Sequence, residues 1–382
     1  MTDVDFSSFF GQEVVVMDGG LGTTLEDMFH QNISHSSLWS AKPIDEDPEI
    51  IIEAHLAFLR AGARVVLTST YQCSYETFQR AGYSKEDAER IMITAVNLAV
   101  EAKKRFLQSQ NHQVKIALSL GPFGATLSPA QEFDGFYPPP YGPRAYSPNG
   151  HNVNTFKGAN EQAREDEAIL ALTQFHLKRL LVFAMKPDVW SSFDCLAFET
   201  VPLIHEVKAI RKAVNALYES QPGLQQKPWW ISTVWPNGHY PQSRSLDGRL
   251  IRPKHLVEAV LGADDGLPCP DGFGINCTST LFLPHVLAEA QVKVAELLSD
   301  RKPWLVLYPN GGDIYDTITR KWIVREEDKD RKDQKWVGDV VQTVRDAKSS
   351  KVWEGILAGG CCRTGPVEIQ QLAEGVAPEG GR

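Results

Sequence analysis

Three cysteines stand where thiol chemistry is most readily built. Cys361 and Cys362 form a vicinal pair in Gly359-Gly360-Cys361-Cys362, and Cys277 ends the run Gly274-Ile275-Asn276-Cys277. Adjacent side chains on a regular strand point to opposite faces, so a vicinal pair serves one ion only where the strand has ended and the backbone turns. Gly359 and Gly360 supply that freedom. Soft thiolates select zinc over magnesium or calcium, and three protein ligands leave the fourth tetrahedral position for a substrate. The pair alone reads more simply as two small apolar residues of a strand, and the third thiol at the matching rim tips the reading to a metal. Cys73, Cys195 and Cys269 stand alone and read as buried or incidental.

Two carboxylates have similar company. Asp18 precedes Gly19 and Gly20, which would let a substrate approach the backbone, and Glu199 precedes Thr200 and Pro202. Each reads either as a plain solvated loop residue or helix cap or, at a strand end beside the cysteines, as a grip for an ammonium group, and Glu199 also as a helix-starting acid. Tyr71, Phe123, Phe136, Tyr137 and Trp235 read first as packing residues, with a cation-π surface as the sharper alternative. The ten histidines show no metal-ligand spacing, and His176, His205 and His285 read as ordinary helix residues.

The elements that must carry these residues alternate. Strand-length apolar runs begin at Val14, Arg64, Val114, Leu196, Trp229, Gly272, Trp304 and Val352, and each is followed by a segment of helical period. Eight such units without a break in composition predict an α/β fold, a single (β/α)8 TIM barrel over residues 1–382, with a doubly wound open sheet as the alternative. Asp18, Glu199, Asn276, Cys277, Cys361 and Cys362 then all fall at C-terminal strand ends, the rim where barrel enzymes assemble their sites. Cys277 follows the sixth strand and the pair follows the eighth, so three thiols converge. Two insertions interrupt the pattern. One, near 133–158, holds Pro138-Pro139-Pro140 and predicts an extended loop after strand 3, at the catalytic face. The other, near 317–335, is charged and reads as a solvated loop or helix start.

The chain has 382 residues and a formal net charge of -9, with its Lys and Arg scattered, which disfavours nucleic acid as a partner and favours a small-molecule substrate. The first residues lack a basic start followed by an apolar run, and no long apolar segment follows, so neither a signal peptide nor a membrane span is expected. A cytoplasmic location with reduced cysteines is the corresponding expectation.

Taken in order, these motifs resemble the homocysteine S-methyltransferase family. The resemblance is carried by Asp18-Gly19-Gly20, Thr70-Tyr71-Gln72, Gly121-Pro122-Phe123-Gly124-Ala125, Phe198-Glu199-Thr200, Gly274-Ile275-Asn276-Cys277, Tyr308-Pro309-Asn310-Gly311-Gly312 and Gly359-Gly360-Cys361-Cys362. It implies Zn²⁺ on Cys277, Cys361 and Cys362, with homocysteine entering through its sulfur as fourth ligand. It further implies Asp18 and Glu199 near the homocysteine amino group and Asn276 beside the metal. The donor it implies is S-methylmethionine or S-adenosylmethionine. A betaine-homocysteine methyltransferase and a non-catalytic zinc- or thiol-binding barrel are the rival readings.

Overall fold

The computed structural model describes residues 13–377 except 34, 35, 37, 264, 265, 298–301, 313, 317–320 and 324–331, together with Phe6, Phe10 and Gly11. Eight parallel strands form one sheet: β1 (Val14–Val16), β2 (Val65–Leu67), β3 (Lys115–Leu120), β4 (Cys195–Val201), β5 (Trp229–Thr233), β6 (Gly272–Ser279), β7 (Trp304–Asn310) and, after a short hairpin of β8 (Ile314–Asp316) and β9 (Lys321–Ile323), β10 (Ile356–Ala358). The order is β1-β10-β7-β6-β5-β4-β3-β2. A parallel bridge from Met17 to Val65 closes the ring, with Arg64 N donating to Val16 O (2.8 Å) and Asp18 N to Val65 O (3.0 Å). The fold is the expected (β/α)8 barrel.

Local chemistry explains the helices that wrap it. Proline at the first turn starts Pro48–Arg60, Pro253–Leu261 and Pro366–Val376, where its missing N–H is no loss. Ser84 accepts from Asp87 N at 3.0 Å and so caps Lys85–Leu107. The helices bury apolar stripes against the outer face of the sheet, forming the main core.

A second core fills the barrel itself. It contains Val15, Met17, Val65, Ala117, Cys195, Ala197, Trp230, Trp304, Val306, Tyr308 and Leu357. Phe6 packs its ring 5.8 Å from both Trp230 and Trp304, and Phe10 lies 5.6 Å from Trp304. Both tryptophans sit at strand beginnings, so the two phenylalanines plug the N-terminal mouth. The opposite mouth is left for chemistry.

Two boundaries differ from the sequence reading. The eighth barrel strand starts only at Ile356, because Lys351 adopts φ 60° and the segment after it is a connection. The insertion near 317–335 contains the expected helix start, at Lys332–Ser350, but also a strand the sequence did not suggest, β9, which pairs antiparallel with β8. Its remaining positions, 317–320 and 324–331, lie outside the described residues. After β3 and a short 3-10 turn (Phe123–Thr126), the chain has no regular element until Ala159, as the proline-rich composition predicts. Among the described residues no helix is long and apolar enough to cross a membrane.

Candidate metal and substrate site

The rim is shaped by two matched bulges. Pairing of β4 with β5 runs from Phe198↔Ile231 to Val201↔Thr233, and pairing of β6 with β7 runs from Asn276↔Tyr308 to Ser279↔Asn310. In each case three residues advance against two, which is a β-bulge of the kind common beside active sites. The left-handed residues are Thr200 (φ 57°) and Cys277 (φ 47°). Cys277 therefore lies inside its strand, not beyond it as the sequence suggests, and the bulge re-aims its sulfur.

Hydrogen bonds offset the strain. Asn276 Oδ1 accepts from Thr200 N (2.9 Å), while its Nδ2 donates to Thr200 Oγ1 (2.7 Å) and reaches Cys277 Sγ (3.4 Å). Thr200 Oγ1 also lies 3.8 Å from that sulfur. Asn276 is buried with its amide fully engaged, so it positions the cysteine and has no free group for a substrate.

The vicinal pair is placed by crowding. Gly360 N donates to Asp18 O, Cys361 N to Pro309 O and Gly311 N to Cys362 O, all at 2.8–3.0 Å, which laces the ends of β1, β7 and β10 together. A Cβ on Gly359 would stand 2.6 Å from Asp18 O, and one on Gly360 would stand 2.1 Å from Thr364 Oγ1. These glycines are required by close approach, not by a left-handed backbone; the positive φ of this turn falls at Arg363 (63°). The same holds for Gly19 and Gly20, whose Cβ positions lie 2.4 Å from Thr364 O and 2.3 Å from Cys361 O. The cysteine loop itself, rather than a substrate, fills the space they leave.

The sulfurs of Cys277, Cys361 and Cys362 all lie within 4.8 Å of one another. Cys277 and Cys361, with Cα atoms 5.5 Å apart, bring their sulfurs into contact, and Cys362 stands beside them. The sequence leads one to expect three reduced thiols; sulfurs aimed at a common point bond either to a shared ion or to one another. The donor set fits zinc, whose ~2.3 Å bonds to sulfur separate tetrahedral ligands by ~3.8 Å. Burial, reinforced by the Glu132 carboxylate, pushes the Cys362 thiol up to about 12, so ionising it at neutral pH calls for a cation.

Carboxylates surround this cluster. Asp18 Oδ2 accepts from Leu67 N at 2.8 Å, whereas Oδ1 is buried without a partner. Burial first, and the neighbouring Glu199 charge after it, hold the Asp18 carboxyl well above its usual range. Glu199 is bonded by the hydroxyls of Ser119 and Tyr308, but burial outweighs them and raises its pKa to about 7. Ser69 Oγ, Gln72 Oε1, Glu132 Oε2 and Asn310 Oδ1 are likewise buried oxygens without a partner. A rim so rich in orphan acceptors is built for a ligand that brings positive charge and N–H donors.

Sequence reasoning missed three residues here. Arg179 is a buried cation whose guanidinium donates to Gly121 O (2.7 Å), Tyr71 O (3.1 Å) and Thr70 O (3.4 Å), tying the ends of β2 and β3. Glu206 accepts from Phe123 N and Tyr137 Oη, both at 2.7 Å, and pairs with His176 at 3.1 Å, anchoring the loop after β3. Glu132, on that loop, is near enough for its charge to push the Tyr71 and Cys362 groups upward. Both Arg179 and Glu206 interrupt apolar stripes of their helices, which was the available signal. Of the five aromatics, Phe123 and Tyr137 belong to a separate core cluster, Phe136 stacks on Tyr146, and Trp235 packs on Tyr240. Only Tyr71 remains at the cysteines. Cys73 and Cys195 are buried away from the cluster, and Cys269 is exposed.

Known proteins share this arrangement of sequence and fold. The profile of the family described as Homocysteine S-methyltransferase matches residues 15–376. Homocysteine S-methyltransferase 2 of Zea mays is 30% identical over 366 residues, spanning 94% of this chain and 88% of that protein. Homocysteine S-methyltransferase YbgG of Bacillus subtilis is 28% identical over 380 residues, spanning 94% and 93%. Among solved structures, the metallated form of the homocysteine methyltransferase MmuM from Escherichia coli superposes with a TM-score of 0.63 at 25% identity, covering 95% of this chain and 96% of that one. Its oxidized form gives a TM-score of 0.62 at the same identity and coverage. With the profile spanning nearly the whole barrel, the chain belongs to the homocysteine S-methyltransferase family.

Proposed function

We propose that this enzyme moves a methyl group from S-methylmethionine or S-adenosylmethionine to the sulfur of L-homocysteine, with zinc held by Cys277, Cys361 and Cys362. The observation that carries the reading is the convergence of those three sulfurs, from two different strands, at the rim of the barrel. Bound zinc would supply the acidity that keeps a coordinated thiol ionised at neutral pH, against a free-thiol pKa of about 8.5.

The chain's own residues do the rest. Asp18 and Glu199 take the homocysteine ammonium: two mutually repelling buried carboxyls gain most from a shared cation, and Asp18 Oδ1 has no other partner. Ser119 and Tyr308 hold the Glu199 carboxylate in place. Asn276 and Thr200 fix the Cys277 sulfur. Methyl transfer from an onium donor requires no general base or oxyanion hole, so alignment supplies much of the acceleration.

The test is to measure zinc per chain and methionine formation from homocysteine with S-methylmethionine, S-adenosylmethionine and betaine in turn. One zinc per chain and turnover with a sulfonium donor are expected. Turnover with betaine alone would overturn the donor assignment, and bound zinc without methionine from any donor would leave a binding barrel.

A further inference from the structure

Among the described residues no basic group answers the Glu132 carboxyl. As a whole residue it is half-buried, but Oε2 is sealed from solvent and makes no hydrogen bond. Among the described residues no lysine, arginine or histidine pairs with it. Burial raises its carboxyl to about 7, and the nearby Asp134 charge acts in the same direction.

Its position is nonetheless fixed. The segment carrying it folds back on the 3-10 turn after β3, with Gln131 N bonded to Gly124 O (2.9 Å) and Gly135 N to Gln131 O (2.7 Å). A Cβ on Gly124 would stand 2.8 Å from Gln131 O, so the two strands of this loop are in close contact. Glu206 grips the loop on both sides, through Phe123 N and Tyr137 Oη. The carboxylate takes a hydrogen bond from its own backbone N–H, but a sealed Oε2 without a partner is maintained against an appreciable desolvation penalty.

Its surroundings show where it acts. Its loop leaves the C-terminal end of β3, between β2, which leads to Tyr71, and β4, which carries Glu199, on the rim where the three sulfurs converge. Asp18 and Glu199 repel each other directly and form one acidic pole, which the proposed function gives to homocysteine. Glu132 forms a second pole near the cysteines, beside Tyr71.

We infer that Glu132 is the counter-charge for the methylated onium centre of the donor, a sulfonium or quaternary ammonium. The inference rests on the methyltransferase reading above. An onium centre offers no N–H or O–H, so it needs a bare charge rather than a directed hydrogen bond, and Glu132 Oε2 offers that. Transfer breaks the bond from carbon to the onium atom, whose electron pair stays with the donor. The new bond forms from a lone pair of the homocysteine thiolate, and no proton moves. Donor cation and thiolate anion thus become neutral products, and the attraction to Glu132 disappears with the methyl group. Glu132 therefore favours donor over demethylated product, and acts on donor binding more than on the chemical step, where the positive charge is already fading.

The experiment compares the zinc-loaded full chain with its Glu132→Gln variant. Donor KM is expected to rise about tenfold or more, with kcat, zinc content and homocysteine KM within about twofold of wild type. Inhibition by the neutral product relative to donor binding should strengthen by a similar factor. Where wild type turns over, a donor KM left unchanged by Glu132→Gln overturns the assignment, as does an equal loss for homocysteine. A second measurement is independent of turnover: equilibrium binding of trimethylsulfonium, which wild type should bind about tenfold more tightly than the variant. If wild type makes no methionine from any donor, the activity reading fails, and equal trimethylsulfonium binding by the two proteins still refutes the role given to Glu132.

Discussion

Asn276 and Thr200 are locked together across neighbouring even strands, the amide of one closing on both the backbone N–H and the hydroxyl of the other at 2.9 and 2.7 Å. Each bulge thereby holds the other, and Cys277 is next to the joint. Replacing Asn276 by Ala leaves a buried hydroxyl and N–H unpaired, a loss of about 2 kcal/mol in stability. Zinc affinity, read by competition with a chromophoric chelator, is expected to fall on the order of tenfold to a hundredfold, as when other groups that orient metal ligands are lost. A defect confined to homocysteine binding would show instead that Asn276 contacts substrate.

The three clustered cysteines should behave as a set. Alanine at Cys277, Cys361 or Cys362 is expected to abolish both stoichiometric zinc and methyl transfer, whereas alanine at Cys73 or Cys269 should preserve both. Because Cys277 and Cys361 can bond to each other, mild oxidation should release the metal and stop turnover, and a thiol reductant followed by zinc should restore both. Metal analysis before and after reduction checks this.

Glu199→Gln keeps the volume and removes the charge proposed to hold the homocysteine ammonium. Homocysteine binding should weaken by about 2 kcal/mol with zinc content intact. If wild type bound a thiol lacking the amino group as tightly as homocysteine, the assignment would fall.

Glu206 holds the loop after β3 by two hydrogen bonds from buried donors and one contact with His176. Glu206→Ala should lower the denaturant-extrapolated stability by about 3 kcal/mol, whereas Tyr137→Phe should lower it by about 1 kcal/mol. Donor KM is expected to rise in Glu206→Ala while zinc content stays normal, which separates anchoring of the loop from a general loss of fold.

Acid should remove the contribution of His55 to stability. Its ring is fully buried, neither nitrogen has a partner, and burial lowers its pKa from 6.5 to about 4. The unfolded chain takes up the proton first as pH falls. The stability tied to the neutral ring is therefore whole above pH 6.5, declines between there and about 4, and is gone below, a change of about 3 kcal/mol. His205, also lowered to about 4 by burial, adds a slope of the same sign. In urea titrations the stability of wild type relative to His55→Leu should fall by about 3 kcal/mol from pH 6.5 to 4, on top of the opposite slope that Glu132 and Glu199, raised to about 7, give both proteins; parallel curves would refute the account.

Much of this was legible before any coordinates. Eight apolar runs with helical segments between them identify the barrel, and strand-end positions gather Asp18, Glu199, Cys361 and Cys362 at one rim. The bulges were not legible, because a left-handed threonine or cysteine is stabilised by tertiary hydrogen bonds such as those of Asn276, and intrinsic propensity gives no hint of it. Glu132 lies at the edge of an aperiodic stretch, where sequence offers no burial signal. Arg179 and Glu206 resemble solvated helix charges until their neighbours at i±3 and i±4 are seen to be apolar. The glycines were noticed for the wrong reason, since crowding between loops is a property of the closed ring.

Closure of the ring also sets an order in time. Cys277 leaves the ribosome 84 residues before Cys361, and β1 must wait for β10 before its edge is paired on that side. Until then β6 presents one sulfur of a three-sulfur site, and the loop carrying Asp18 lacks the turn that Gly19 and Gly20 are shaped to receive. The three-sulfur cluster is consequently a late product of synthesis. An ion that binds only the finished cluster acts as a clasp between the sixth strand and the last barrel strand, adding its binding free energy to the step that seals the barrel. Supply of the ion during synthesis is thus expected to influence the yield of folded chain as well as its activity.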